Sequence, residues 1–212
     1  MSKENKIIKF AKKLNLEMLS PIRSGNISIR SKKENINGFL ITPSGKKYDS
    51  LESQQIVFVS NQGKYKKGKE KPSSEWRFHQ EIYNSRADVK SIVHCHSPYA
   101  VAVSCFAKPV PAFHYMVAIA GGDSINCAKY STFGTKKLSI NIIKALQNRL
   151  ACLISNHGQV AVGKTVEKAF ELAQEIEILC QQYTISLKIG LPKILTKKEM
   201  QDVLKKIKTY KK

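Results

Sequence analysis

Apolar positions recur at helical spacing from Lys6 to Met18, where Ile7, Ile8, Ala11, Leu14 and Leu16 form one face and lysines the other. Ser20-Pro21 ends that period, and the pattern changes to alternation. Ile27–Arg30 reads as a strand, Ser31–Gly38 as a polar hairpin loop and Phe39–Ile41 as the returning strand. Thr42–Tyr48 is a Gly-containing turn, Gln55–Ser60 a third strand and Asn61–Lys71 a solvated excursion. Trp76–Asn84 has helical spacing, and Ser91–His96 has the β-branched, apolar look of a buried strand. Further on, the pattern predicts helices over Pro98–Cys105, Thr135–Asn148, Thr165–Lys188 and Lys197–Lys208. Strands are predicted at Val110–His114, Cys152–Ser155 and Gln159–Val162, with GGDSINCA as a turn. Thr165 is a good N-cap, Glu167 suits the first turn of its helix, and Gly190 followed by Pro192 stops it. No repeat, linker or composition break divides the chain, which predicts a single domain over 1–212 mixing helices and strands.

Composition adds little to this picture. The 42% hydrophobic fraction suits a globular core, and no apolar run reaches the length that spans a bilayer. The N-terminus has no uninterrupted apolar segment of the signal-peptide kind. Five cysteines, odd in number and without a CxxC, read as free thiols in a reducing cytoplasm. The net charge of +20 raises the question of nucleic acid. Yet the basic residues are mostly lysines spread over termini and loops, and the five arginines are scattered. A recognition element would offer arginine at base edges or aromatics among basic residues. The charge reads as a solvated lysine surface, with no specific nucleic-acid or membrane partner, and it suits an anionic small substrate equally well.

Candidate chemistry changes the picture more. In Ser91–His96, His94 and His96 share a strand face with Cys95 opposite, so two imidazoles stand about 7 Å apart along the backbone. Glu75 precedes His94 by nineteen residues, and His157 lies where a later apolar strand runs into a Gly turn. Three histidines and a carboxylate are a plausible shell for a catalytic metal such as zinc. Three separate turns, Ser24-Gly25-Asn26, Ser44-Gly45 and Ser73-Ser74, share hydroxyls or an amide with backbone that a ligand can approach closely. The last adjoins Glu75 at the start of a predicted helix, where N–H groups favour anions. Together they suggest a phosphate pocket beside a metal.

The blocks GNISIR, LITPSG, SSEWRFH, IVHCHSPYAVAVS, PAFHYMVAIAGGDSI, TFGT, NHGQVA and the terminal KTY resemble the class II aldolase/adducin family, nearest its L-fuculose-1-phosphate aldolase branch. The resemblance runs from about Gly25 to Tyr210. It implies a three-layer α/β/α fold around a mixed, mostly antiparallel sheet, and a C4 homotetramer with active sites at subunit interfaces. It implies one Zn2+ per subunit on His94, His96 and His157, with Glu75 as a displaceable fourth ligand and general acid/base. Phosphate contacts carried over are Gly25, Asn26, Ser44, Gly45, Ser73 and Ser74. Tyr115 would be a proton donor reaching in from the neighbouring subunit, whose Phe133 and Tyr210 would complete the aldehyde pocket. The implied reaction is reversible cleavage of a ketose 1-phosphate to dihydroxyacetone phosphate and a small aldehyde, through a metal-stabilised enediolate. Aldolases for 5-deoxyribulose or 5-methylthioribulose 1-phosphate would share all of these residues. A ribulose-phosphate 4-epimerase would carry Asp at Glu75, and a non-catalytic adducin-like module would lack the histidines. Two departures stand out: SPIRS replaces a Gly/Thr-rich turn and puts Arg23 beside the phosphate pocket, and GGDS replaces GGNS.

Overall fold

The computed structural model describes residues 1–210 except 21, 67 and 69, and excludes the side chains of Lys208 and Tyr210. Seven strands form one sheet: β1 Asn26–Lys33, β2 Ile36–Ile41, β3 Val57–Ser60, β4 Ser91–Cys95, β5 Cys127–Ala128, β6 Ala151–Ile154 and β7 Gly158–Gly163. Their order is β3-β2-β1-β4-β7-β6-β5. Every pairing is antiparallel except that of the short edge strand β5 with β6. The sheet is mixed and mostly antiparallel, as expected.

Alternation along the strands sorts the core into two layers. Val93 and Cys95 of β4, Ala161 of β7 and Leu153 of β6 pack against α1 (Lys3–Leu16), α3 (Pro98–Ser104) and α5 (Val166–Ile189). Ile92 of β4, Val160 and Val162 of β7 and Ile154 of β6 face the other way, onto α2 (Trp76–Ser85) and α4 (Lys136–Ala145). Helices therefore cover both faces, giving the three layers α/β/α. The last helix, α6 (Lys197–Tyr210), joins the first layer through buried Met200.

Several boundaries differ from the pattern-based expectation, each for a local reason. The predicted loop Ser31–Gly38 is mostly strand, because Glu34 and Asn35 both adopt positive φ (48° and 65°) and close a two-residue hairpin. Leu16 does not join the buried face of α1 but is 78% exposed, and Phe10 takes its place in the core. Val110–His114 is not a strand: Val110 makes one isolated bridge to Ile125, and His114 caps a 3-10 helix at Tyr115–Ala120 that periodicity did not reveal. Part of the presumed turn GGDSINCA is β5 itself. Asp123 of that segment pairs with Arg149 at 3.1 Å. Thr165 caps α5 by accepting from the Lys168 N–H, as its sequence position suggested.

The register places the site. Asn26, the first residue of β1, lies opposite His94, and Gln159 of β7 lies opposite Cys95. The end of β4, the start of β1 and the β6–β7 turn therefore meet at one end of the sheet. The N-terminus of α2 reaches the same place, because Ser73 N–H bonds the Thr42 carbonyl just past β2.

Candidate metal centre and active site

His94 is the second-last residue of β4, on the α2 face, and is wholly buried; its ring lies edge-on to Phe78 of α2. Its Nδ1–H donates to the Gln159 carbonyl at 2.8 Å, which turns Nε2 inward. The Gln159 side chain in turn ties β7 to Ser97 and to the Ala173 carbonyl of α5. His96 follows two residues later on the same face, its backbone N–H held by Ser20 Oγ. His157 lies in the β6–β7 turn, where Asn156 takes a positive φ of 55° and the His157 N–H bonds back to Ile154. Glu75 is the N-cap residue of α2, yet its carboxylate makes no cap hydrogen bond and points into the cluster instead.

The four side chains converge. One ligand atom from each of Glu75, His94, His96 and His157 lies within 4.8 Å of the others. His94 Nε2 is 3.0 Å from His96 Nε2 and 3.1 Å from Glu75 Oε2, and His157 Nε2 is 3.3 Å from Glu75 Oε1. Cys95 faces the opposite core layer, as strand alternation required.

Electrostatics fit a cation at this point. Burial opposes ionisation of Glu75, but His94, His157 and His96 together outweigh it and hold its pKa down at about 2. Burial, then the neighbouring imidazoles, push His96 to about 3 and His157 to about 4, so both stay neutral with lone pairs available. Burial also works against a charge on His94, but Glu75 beside it wins and raises its pKa. Glu75 Oε1 is buried with no hydrogen-bond partner. A carboxylate with one orphaned oxygen 3.3 Å from His157 Nε2 and the other 3.1 Å from His94 Nε2, beside His96, is a donor set for a divalent metal.

The cluster forms one wall of a cleft of about 350 Å³. Glu75, His96 and His157 share that cleft with Ser24-Gly25-Asn26, Ser44-Gly45 and Ser73-Ser74, so the three turns meet in space as their shared chemistry suggested. Gly25 is required where it stands. Its φ is +87°, and a Cβ would lie 2.6 Å from the His94 carbonyl and from Ser20 Oγ. Tyr48 donates to the Gly25 carbonyl at 2.7 Å and fixes that turn. Asn26 is buried, with its amide spent on Ser73 Oγ (3.1 Å) and Glu75 Oε2 (3.2 Å). Arg23, on the departing SPIRS segment, stands exposed at the rim.

The aromatic residues divide differently. Phe133, expected from a neighbouring subunit, is 63% exposed and lines the cleft of its own chain. The reason is the turn at Gly134, whose φ of +72° and close approach to the Ser74 carbonyl fold the Phe133 loop over the Ser73-Ser74 turn. Tyr115 is 51% exposed at the start of its 3-10 helix and is not among the residues lining its own cleft. The Tyr210 side chain lies outside the described residues. Tyr130, Ser131 and Asn156 also line the cleft and carried no motif. Of these only Asn156 left a trace in sequence, as an Asn before His-Gly that suits a left-handed turn.

Comparison with known proteins agrees with this geometry. The family model described as Class II Aldolase and Adducin N-terminal domain matches residues 5–184. A 5-methylthioribulose-1-phosphate/5-deoxyribulose-1-phosphate aldolase of Rhodospirillum rubrum is 46% identical over 187 residues, covering 88% of this chain and 82% of the relative. An L-fuculose phosphate aldolase of Escherichia coli is 47% identical over 188 residues, covering 88% and 85%. A solved L-fuculose 1-phosphate aldolase superposes with a TM-score of 0.91 at 35% identity, covering 97% of this chain and 96% of that one. Among the described residues no helix is long and apolar enough to cross a membrane. A family match over most of the length, near-complete superposition and a buried three-histidine, one-glutamate cluster lead to one assignment: the chain belongs to the class II aldolase and adducin family and is a class II aldolase, a lyase with a His/Glu metal site.

Proposed function

We propose that this enzyme cleaves a ketose 1-phosphate of the L-fuculose 1-phosphate type, reversibly, to dihydroxyacetone phosphate and a small aldehyde, with Zn2+ on His94, His96, His157 and Glu75. The observation that carries the reading is the sharing of one cleft by the metal donors and the three Ser/Gly turns. A phosphate and a carbonyl a few bonds away need such a pairing. A metal held there supplies Lewis acidity for negative charge that develops at the carbonyl oxygen.

The chain's own groups do the rest. Backbone N–H groups and hydroxyls of Gly25, Ser44, Gly45, Ser73 and Ser74, with Asn26 beside them, are the proposed phosphate contacts, and Arg23 adds a charge-assisted one at the rim. In the condensation direction Glu75, held ionised, is the base that takes the proton from the reacting carbon of dihydroxyacetone phosphate, and in cleavage the protonated carboxyl returns that proton to the carbon. Tyr115, away from its own cleft and exposed, is suited to donate a proton to the aldehyde oxygen at a neighbouring subunit's site in condensation, and to take it back from the corresponding hydroxyl in cleavage, in the proposed homotetramer. The aldehyde is walled by Phe133 and Tyr130 of the same chain, with Tyr210 proposed to come from the next.

A second reading, cleavage of 5-methylthioribulose or 5-deoxyribulose 1-phosphate, is favoured by the 46% identity to the Rhodospirillum rubrum aldolase. The test is a coupled assay for dihydroxyacetone phosphate. Fuculose, ribulose, 5-deoxyribulose and 5-methylthioribulose 1-phosphates are run in parallel, with and without a chelator. Chelator-sensitive release is expected, fastest from the fuculose compound. Fastest release from a 5-substituted ribulose phosphate would move the assignment to the second reading. Metal bound at one per chain with no release from any substrate would overturn both.

A further inference from the structure

Behind the metal donors runs a file of buried polar side chains that the mechanism above does not use. Tyr83 OH lies 2.8 Å from Ser28 Oγ, Ser28 Oγ 2.7 Å from His79 Nδ1, and His79 Nε2 2.5 Å from Asn26 Oδ1. Asn26 Nδ2 then reaches Glu75 Oε2 at 3.2 Å and Ser73 Oγ at 3.1 Å. His79 and Ser28 are fully buried, Tyr83 nearly so, and none of the three lines the cleft. The His79 ring is packed between Phe78, with centroids 4.4 Å apart, and Phe39 at 6.3 Å.

The direction of every hydrogen bond in the file follows from its last member. An ionised carboxylate only accepts, so the atom of Asn26 facing Glu75 Oε2 must be the NH2. Oδ1 then faces His79, which must present Nε2–H to it. A neutral imidazole with Nε2–H has its lone pair on Nδ1, so Ser28 donates there and accepts from the Tyr83 hydroxyl. Burial first, and then His94, hold His79 at about 3, which keeps it in this singly protonated form. If the imidazole were replaced by a group without that N–H, Oδ1 would lose its donor and only the carboxylate would hold the amide in this orientation, while the flipped one sets oxygen against carboxylate oxygen.

We propose that His79 is a positioning residue: its Nε2–H, oriented by Ser28 and Tyr83, locks the Asn26 amide in the one orientation that holds Glu75 Oε2 and so the metal-binding carboxylate. The inference rests on the metal-site reading, not on which ketose phosphate is the substrate. Its test accordingly reads metal binding. Co2+ is titrated into chelator-treated protein and followed by its visible absorption in wild type, His79→Phe, His79→Gln, Asn26→Ala and the His79→Phe/Asn26→Ala double variant. His79→Phe suits the aromatic slot and should weaken Co2+ about tenfold or more, the usual cost of removing an outer-shell partner. His79→Gln, whose amide can donate to Asn26 and accept from Ser28, should recover most of that loss. In the Asn26→Ala background there is no amide to orient, so His79→Phe should cost nothing further, whereas a merely structural role would cost the same in both backgrounds. Should His79→Phe fail to fold, Ser28→Ala replaces it in the same cycle, because it leaves Nδ1 without its donor. Unchanged Co2+ affinity in the single variant, or an equal loss in both backgrounds, would overturn the inference. A wild-type protein that took up no Co2+ would overturn the metal reading and this inference with it.

Discussion

Stripped of metal, the protein should be much less stable at pH 5 than at pH 7. Three histidines are held well below the ordinary value: His79 and His96 at about 3 and His157 at about 4, each by burial first and then by charge on His94. Unfolded, each titrates near 6.5. The folded value is the lower one, so below pH 6.5 the unfolded chain binds protons that the native state refuses. Stability therefore falls as pH drops through 6.5 and keeps falling until the folded values are reached. Integrating from pH 7 to pH 5 gives about 2 kcal/mol per histidine, or about 6 kcal/mol for the three. His94 works the other way. Its raised pKa contributes stability that is fully present below 6.5 and lost as pH rises, which returns less than about 1 kcal/mol over this window. Glu75 barely enters, since a carboxyl lowered to about 2 keeps its stabilisation above its unfolded value of 4.5 and loses it only on the way down to 2. The net expectation is a loss of about 5 kcal/mol, comparable with the whole stability of many domains. Urea unfolding followed by circular dichroism, on chelator-treated protein at fixed concentration, measures it at pH 7, 6 and 5. His157→Asn should reduce the loss by about 2 kcal/mol. A free energy at pH 5 within about 1 kcal/mol of that at pH 7 would refute the assignment of these imidazoles as buried and neutral.

Two further substitutions separate chemistry from architecture. Glu75→Gln keeps the shape of the side chain but removes the charge that faces His94 and His157; the fold and some metal should remain while turnover falls by about 100-fold or more, and steady-state kinetics showing wild-type turnover would refute the acid/base role. Gly25→Ala forces a Cβ to within 2.6 Å of the His94 carbonyl at a φ of +87°, so it should cost at least about 1–3 kcal/mol and disturb the phosphate turn and His94 together, read as a lower melting temperature with weaker binding of inorganic phosphate. A melting temperature equal to wild type would mean the turn can relax away from β4.

How much of this was legible in sequence follows from how local each determinant is. Strand alternation needs only nearest neighbours, so His94 and His96 on one face and Cys95 on the other could be read directly, and the register did not change them. The turns at Gly25, Gly45 and Ser73 could each be seen, because Gly and Ser mark turns chemically. Their meeting in one cleft depends on the β1–β4 register and on the Ser73–Thr42 contact, which no local pattern contains. The same is true of Phe133, whose placement over its own cleft is decided by how tightly Gly134 approaches Ser74. The 3-10 helix at Tyr115–Ala120 was missed because an apolar run before a Gly-Gly pair carries neither period clearly.

The site is therefore built from two kinds of material, and this bears on specificity. The end that holds the metal donors rests on strand ends, a helix N-terminus and, at Gly25, a glycine that tolerates no Cβ, so His94, Glu75 and Asn26 are fixed by backbone packing. The far end rests on exposed aromatic side chains, Phe133 and Tyr130, on a loop. Substitutions there can reshape the space for the aldehyde without touching the metal donors. Relatives at 46% and 47% identity that are named for different sugar phosphates fit that division. On the proposed function, the choice among ketose 1-phosphates falls to the loop around residues 130–133. The His79–Asn26–Glu75 file lies instead at the other end, beside the metal donors.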